Sequence, residues 1–452
     1  MSETKISPLY LRIMITLSVL AALCFFTARQ VEIPFRSALR GWDSSFYHFW
    51  LRSLAVDGDW DFRNELEENN TIPGKLREVS RNLPLTEKGR VPNKYGIGLA
   101  LVSVPFYLLA DGIVLVSNAL GAENLRRDGF NFVYQICIQF GRFLYAILGV
   151  ILTFRFCSFW FVRKIAAAAT LSVWGSSLLL YYQTWNLSMS HSLTFSLVAA
   201  IHYLVLLIEK RGGLCISRWI ALFAASGILV VTHYQTVIYL IFPAFVALRF
   251  LLRSGPPVWR RVLVSLPFLF APIALQLLAW KTVYGYWVLD PYAQEGETLN
   301  LKGAVLLKVL FSSNHGFFYW HPFPLFGFVG MVVYALEKRS ELYLWILTFF
   351  MIYLVNASLE SWNGAQSFGL RNFEGTIFFA IVGTAYLLEK FNRYNWFLQG
   401  FYIASLTSII WNINLGILFT TSAISRRSSV TISEMLKSTV EFYPWLLRWY
   451  FN

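Results

Sequence analysis

Residues 41–65, GWDSSFYHFWLRSLAVDGDWDFRNE, set Asp43, Asp57, Asp59, Asp61 and Glu65 among large aromatics. Carboxylates so placed offer two chemistries: taking a proton from an attacking hydroxyl, or holding a divalent cation through oxygen ligands. Asp43 precedes a segment, 44–56, with Phe46, Phe49, Trp50 and Leu54 along one helical stripe and Ser45, His48, Arg52 and Ser53 opposite. The pattern predicts an amphipathic helix at a membrane interface. Asp43 then has two readings: an N-cap that accepts backbone N–H bonds, or a general base held at the membrane surface. The two are compatible, because a cap also fixes the carboxylate. Asp57, Asp59 and Asp61 form overlapping D-x-D patterns that could bind a divalent metal ion at Asp57 and Asp59, but Gly58 favours a solvated turn.

Cations and imidazoles follow. Lys94, in VPNKYGIG, either snorkels toward lipid phosphate or grips a specific phosphate ligand. Arg142, in YQICIQFGRFLYAILGVIL, falls in the outer half of a predicted span. An ionisable group at that depth marks a functional site, with snorkelling as the alternative. His191 opens a span in WNLSMSHSLTF, and His233 with Gln235 sits at a turn, THYQT. SSNHGFFYWHP carries His315 and His321, and ESWNGAQSFGLR ends at Arg371, with Gly364 and Gly369 permitting close backbone approach. Lone histidines at helix ends are more often structural than catalytic. All these groups fall on one predicted face, which argues for an external active site.

The elements that must position them are apolar. The 452 residues are 56% hydrophobic, 18% aromatic and only 14% charged, well below the charge of a soluble domain. Apolar runs long enough for a hydrocarbon core of roughly 30 Å recur, so the expected fold is an all-α polytopic membrane protein. Their continuity excludes a β-barrel. The net charge of +13 is spread over short loops rather than gathered in a patch, which argues against nucleic acid. Cys24, Cys137, Cys157 and Cys215 lie in or beside apolar runs without metal-ligand spacing. Lys5 and Arg12 precede the first apolar run and no A-x-A site follows, so an uncleaved first helix is expected.

About eleven spans are expected, at roughly 9–28, 134–158, 165–183, 191–208, 216–233, 236–252, 261–281, 317–336, 342–358, 372–389 and 397–419. A twelfth apolar stretch, 96–120, contains Pro105 and Asp111 and is read as an interfacial helix. With that assignment the basic runs at 163–164, 210–218, 249–261, 338–339 and 390–393 are cytoplasmic, whereas the short loops on the opposite side hold only Lys281, Lys302, Lys308 and Arg371. Residues 1–419 then form one membrane domain. A long first external loop covers 29–130, further external loops span 284–315 and 359–371, and 420–452 is a short external tail. Residues 63–92, charged and marked by Pro73, Pro84 and Pro92, read as a loop that is mobile or folds on binding.

A long first outer loop with an acid soon after the first helix resembles the GT-C superfamily of integral-membrane glycosyltransferases. Within that superfamily it resembles the protein O-mannosyltransferases, the lipid A aminoarabinose transferases and many uncharacterised bacterial members. The resemblance rests on GWDSSFYHFWLRSLA, NKYGIGLALVSVPFYLLA, GRFLYAILGVIL, FSSNHGFFYWHP and SWNGAQSFGLR. DGDWD does not match the family's second acidic position. The resemblance implies that Asp43 is the catalytic acid of the first loop, and that Lys94, Arg142 and Arg371 contact a donor phosphate. His191, His233 and His315 are expected substrate contacts. The implied reaction transfers sugar from a polyprenyl-phosphate carrier to a lipid or glycan hydroxyl outside a bacterial inner membrane, on the periplasmic side. The rival classes are a lipid-linked glycan transporter or scramblase, and a non-catalytic partner of envelope assembly. A transporter predicts polar residues through the depth of the spans, whereas here they gather at one face.

Overall fold

The structure is a computed structural model that describes residues 5–39, 41–68, 78, 82–121, 124–294, 297–301, 303, 305–338 and 340–451. Expectations that fall on Lys302, Arg339 and residues 69–77 and 79–81 of the first loop lie outside the described residues. Apart from one isolated bridge between Leu299 and Leu359, the described residues contain no β-structure.

Most of the apolar runs become helices, because a chain in lipid must satisfy its backbone polar groups within the segment. The longer helices are α1 (Pro8–Glu32), α2 (Trp42–Arg52), α3 (Arg63–Glu68), α4 (Gly98–Ala119), α5 (Phe132–Cys157) and α6 (Arg163–Gly175). Then come α7 (His191–Lys210), α8 (Ile216–Val230), α9 (Ile241–Leu252), α10 (Pro256–Ser265) and α11 (Pro267–Val283). The chain closes with α12 (Phe323–Glu337), α13 (Tyr343–Ser358), α14 (Ile377–Phe391), α15 (Asn395–Thr420) and α16 (Ile432–Phe451). Among the described residues seven helices are long and apolar enough to cross a membrane, and Ile216–Val230, Phe323–Glu337 and Tyr343–Ser358 are shorter apolar helices. This is the expected all-helical, multi-span membrane fold.

Three sequence expectations change in detail. The span expected at 165–183 breaks after Gly175, and a separate turn of helix resumes at Leu179–Tyr182. The tail at 420–452 contains α16, which is tied to α15 where Asn414 donates to Thr439 at 2.9 Å and accepts from the Tyr443 hydroxyl at 2.9 Å. Gly98–Ala119 has the length and apolarity of a span despite Pro105 and Asp111. Asp111 is neutralised locally: it accepts from Arg127 at 2.7 Å and from the Tyr134 hydroxyl at 2.6 Å.

The chain divides into two compact units. One comprises residues 1–23, 150–182 and 298–452. Within it α12 and α14 approach at glycines: a Cβ on Gly327, Gly330 or Gly383 would collide with backbone of the facing helix. Small residues of this kind allow the close backbone packing that joins helices in lipid. The Tyr10 hydroxyl bridges Ser172 and Ser405, each at 2.8 Å, and Asn412 donates to the carbonyls of Gly175 and Ser177 at 2.8 Å.

The other unit comprises residues 24–149 and 183–297. Its glycines do similar work. Gly96 and Gly98 lie against the backbone and side chain of Val231 and Thr232 at the end of α8, and the Gly98 N–H donates to Val231 O at 2.7 Å. That contact fixes the start of α4 and, with it, the preceding loop that carries Lys94.

Candidate active site

The second unit places Asp43, Lys94, Arg142, His191 and His233, and the site is built from that unit alone. Asp43 is not the N-cap of α2. Gly41 occupies that position with extended backbone and no side-chain cap, so Asp43 lies in the first turn. Its carboxylate instead accepts a hydrogen bond from the Tyr95 hydroxyl at 2.6 Å. Burial, then the neighbouring Asp43 charge, push the Tyr95 phenol well above its usual range, so it remains a protonated donor.

Tyr95 is itself clamped to α2. The Trp50 indole donates to its carbonyl at 2.9 Å, and its own N–H donates to Asn93 Oδ1 at 3.2 Å. Asn93 in turn donates to Phe46 O at 3.0 Å, and the Tyr47 and Tyr95 rings stand 4.7 Å apart. Lys94, the residue between these anchors, pairs with Glu297. Its ammonium also lies 5.5 Å from the Tyr292 ring and 5.8 Å from the Tyr95 ring, within cation–π range. One short loop thus delivers a phenol to the Asp43 carboxylate and an ammonium near the ring of that phenol.

Two of the histidines expected to contact substrate, His191 and His233, lie in this unit. The Tyr47 hydroxyl donates to Ser190 at 2.9 Å, and buried His191 follows Ser190 at the start of α7. His233 Nε2 lies 3.4 Å from the Tyr292 hydroxyl.

Arg142 is buried, with only 4% of its surface exposed. Its Nε and one Nη donate to Ser103 Oγ at 3.1 and 3.0 Å, and the other Nη donates to Leu187 O at 3.3 Å. Among the described residues no carboxylate pairs with it. A buried guanidinium held by neutral acceptors keeps a large uncompensated charge, and an anion is the group that would stabilise it. It borders a narrow crevice with Leu99, Tyr145, Met189 and Ser192.

Helix α2 departs from the expected interfacial character. Residues Ser44–Arg52 are all buried, polar stripe included, while Leu54 of the expected apolar stripe is 49% exposed. The polar stripe faces protein. His48 Nε2 donates to Gly129 O at 2.9 Å, and burial pushes its imidazole down to about 4, so it stays neutral. Arg52 donates to Asp128 O at 3.0 Å and pairs with Asp57 and with Glu65, the latter at 3.2 Å. Burial outweighs Arg52 at Glu65 and raises that carboxyl to about 7.

The expected turn at DGDWD is present: Gly58 has φ +75°, in the left-handed region, and its N–H donates to Ser53 O at 3.0 Å. Asp57 accepts from Arg52 and from Asn64 at 2.8 Å, and Asp59 accepts from Ser53 at 3.1 Å and from the Asp61 N–H at 2.9 Å. These donors reach one oxygen of each carboxylate, and no group of three His, Cys, Asp or Glu among the described residues is arranged to hold a metal.

His315 and Arg371 belong to the other unit. His315 is buried with φ +66°, and its Nδ1 donates to Asn363 O at 2.9 Å. Burial lowers its pKa, the Asn363 bond opposes that, and the Arg371 charge lowers it further. His321 is buried against the Phe368 ring at 5.2 Å. Sequence reasoning singled out Lys94 but passed over Tyr95, its neighbour in NKYG, and over Tyr292 and Glu297 in PYAQEGE. For Tyr95 the available signal was an aromatic next to a candidate phosphate ligand, whereas Tyr292 and Glu297 lie far from Lys94 along the chain and gave none.

No family model matches the chain, and no curated protein matches it significantly. Among solved structures it is similar to ArnT from Cupriavidus metallidurans bound to undecaprenyl phosphate, with 13% identity over 91% of this chain and 70% of that one, at a TM-score of 0.49. The apo state of ArnT from the same organism matches with 13% identity over 94% of this chain and 75% of that one, at a TM-score of 0.43. Identity and superposition are too low for either likeness to bear on the chemistry of the site.

Proposed function

We propose that this chain is a membrane glycosyltransferase that takes a sugar from a polyprenyl-phosphate carrier and gives it to an acceptor hydroxyl. The observation that carries the reading is the Lys94–Tyr95 loop, which sets an ammonium next to the phenol that bonds the Asp43 carboxylate. A glycosyl transfer from a phosphate needs a base at the attacking oxygen and positive charge at the leaving group.

In the proposed step the acceptor oxygen attacks the anomeric carbon, and the bond from that carbon to the phosphate oxygen breaks. The bonding pair leaves with the phosphate, and the hydroxyl proton passes to Asp43. A single displacement inverts the anomeric centre. Lys94 and the buried Arg142 offset the charge of the departing phosphate, which needs no general acid. The Tyr95 hydroxyl orients the base by holding one carboxylate oxygen. Arg371 remains a candidate phosphate contact, and His191, His233 and His315 candidate substrate contacts, on sequence grounds.

The placement of this chemistry at the periplasmic face draws support from α2. Its eleven residues rise only about 16 Å. Yet Asp43 meets Tyr95, before α4, while His48 and Arg52 meet Gly129 and Asp128, after it. A helix crossing a core of about 30 Å would hold those flanks farther apart, which favours the interfacial reading of α4.

The test is incubation of purified protein with labelled polyprenyl-phosphate sugars and extracted envelope lipids. Transfer of label to a lipid or glycan is expected. Lipid binding without transfer from any donor supports the assembly-partner reading, and carriage of intact donor across proteoliposomes supports the transporter reading.

A further inference from the structure

The ammonium of Lys94 already holds an anion, the Glu297 carboxylate. The Lys94 side chain is 10% exposed and that of Glu297 31% exposed, so the cation sits deeper than its partner. An ammonium with so little access to water requires a nearby counter-charge. The Glu297 N–H donates to Tyr292 O at 3.0 Å, which roots this acid beside one of the two rings that flank Lys94. Carboxylate and phosphate oxygens accept the same charge-assisted bond from an ammonium.

We infer that Glu297 is a counter-ion that exchanges with the carrier phosphate at Lys94, and so sets the affinity of the site for donor and for spent carrier. The inference rests on the proposed role of Lys94 as a phosphate contact. In the exchange the more exposed Glu297 side chain rotates toward solvent. Lys94 then stays between the Tyr95 and Tyr292 rings, where a phosphate replaces the carboxylate.

The charges give the exchange a direction. A sugar donor is a phosphodiester with one negative charge, equal to that of the carboxylate. The spent carrier is a phosphate monoester with a charge of about −1.5 to −2 at neutral pH, and is attracted more strongly. A competing carboxylate weakens both, and its return to Lys94 after transfer promotes release of the spent carrier. With no carrier bound, Glu297 keeps the ammonium neutralised and in place beside Tyr95.

The test uses the full chain in detergent, with undecaprenyl phosphate as the probe, and compares wild type, Glu297→Gln, Glu297→Ala and Lys94→Met. Both Glu297 variants are expected to bind the probe roughly tenfold more tightly, about the worth of one charge-assisted bond. In transfer assays the donor KM falls and inhibition by undecaprenyl phosphate strengthens by a larger factor. Lys94→Met is expected to bind roughly tenfold more weakly. Unchanged or weaker binding in both Glu297 variants, with Lys94→Met still impaired, overturns the exchange and leaves the phosphate role of Lys94 intact. Wild-type binding by Lys94→Met removes that role, and the exchange with it. A merely structural Glu297 would lower thermal stability and weaken binding together.

Discussion

Arg142→Met removes a charge that the fold holds without a carboxylate partner, and its consequences separate a binding role from a structural one. The guanidinium makes three hydrogen bonds, two to Ser103 and one to Leu187, and all the acceptors are neutral. Burying such a group costs several kcal/mol of desolvation, which those bonds offset only in part. Met has a similar length and no charge, so the variant is expected to fold with a Tm within a few degrees of wild type. A hydrogen bond to a charged group is worth about 1.5–3 kcal/mol, so losing one contact to a carrier phosphate weakens binding by roughly 10- to 150-fold. Arg142→Lys keeps the charge but not the planar fork, and should fall between the two. The assay is undecaprenyl phosphate binding by protein shown to be monodisperse and folded, with Tm measured in the same detergent. A folded Arg142→Met protein that binds the lipid as wild type does would refute the reasoning. Loss of folding in both variants would identify Arg142 as structural.

Other perturbations follow from the same geometry. Tyr95→Phe deletes the 2.6 Å bond to Asp43 while leaving the clamps on the Tyr95 backbone, so kcat should fall about tenfold with donor KM little changed; an unaltered kcat removes Tyr95 from the site. Glu65 has its carboxyl raised by burial to about 7 from an ordinary 4.5. The folded state therefore favours its protonated form, and the stability it adds is present below pH 4.5 and lost as pH rises through 7. At about 1.4 kcal/mol per unit this amounts to at most about 3.5 kcal/mol. Wild type should melt at lower temperature at pH 8 than at pH 5, and Glu65→Gln should shrink that difference; equal pH dependence in the two proteins contradicts the assignment. Reporters fused at Lys88 and at Asp128 should report the same side of the membrane, and opposite sides would make α4 a span.

Much of the helical scaffold was legible because lipid leaves the backbone few alternatives, and long apolar runs such as 9–28 and 397–419 reappear as α1 and α15. The turn at Gly58 was legible for a local reason, the positive φ that glycine tolerates. The surroundings of α2 were not. Its polar stripe has the period of a surface helix, but His48 bonds Gly129 and Arg52 bonds Asp128, both far along the chain. Periodicity reports that a stripe is polar and cannot report whether water or protein satisfies it. The same limit hid the bond between Asp43 and Tyr95 and the pairing of Lys94 with Glu297, which join distant segments. Lys94 and Arg142 stood out because a single cation near apolar sequence is conspicuous, whereas their acceptors and rings are common residues.

The central claim is that Asp43 takes the acceptor proton, and it is tested most directly by sugar transfer in Asp43→Asn. The substitution preserves shape and can still accept from the Tyr95 hydroxyl, but it removes the base. The account predicts that transfer from a labelled polyprenyl-phosphate sugar falls by at least about a hundredfold, the usual contribution of a positioned base, while undecaprenyl phosphate binding is retained. Transfer at the wild-type rate by the folded Asp43→Asn protein would contradict it.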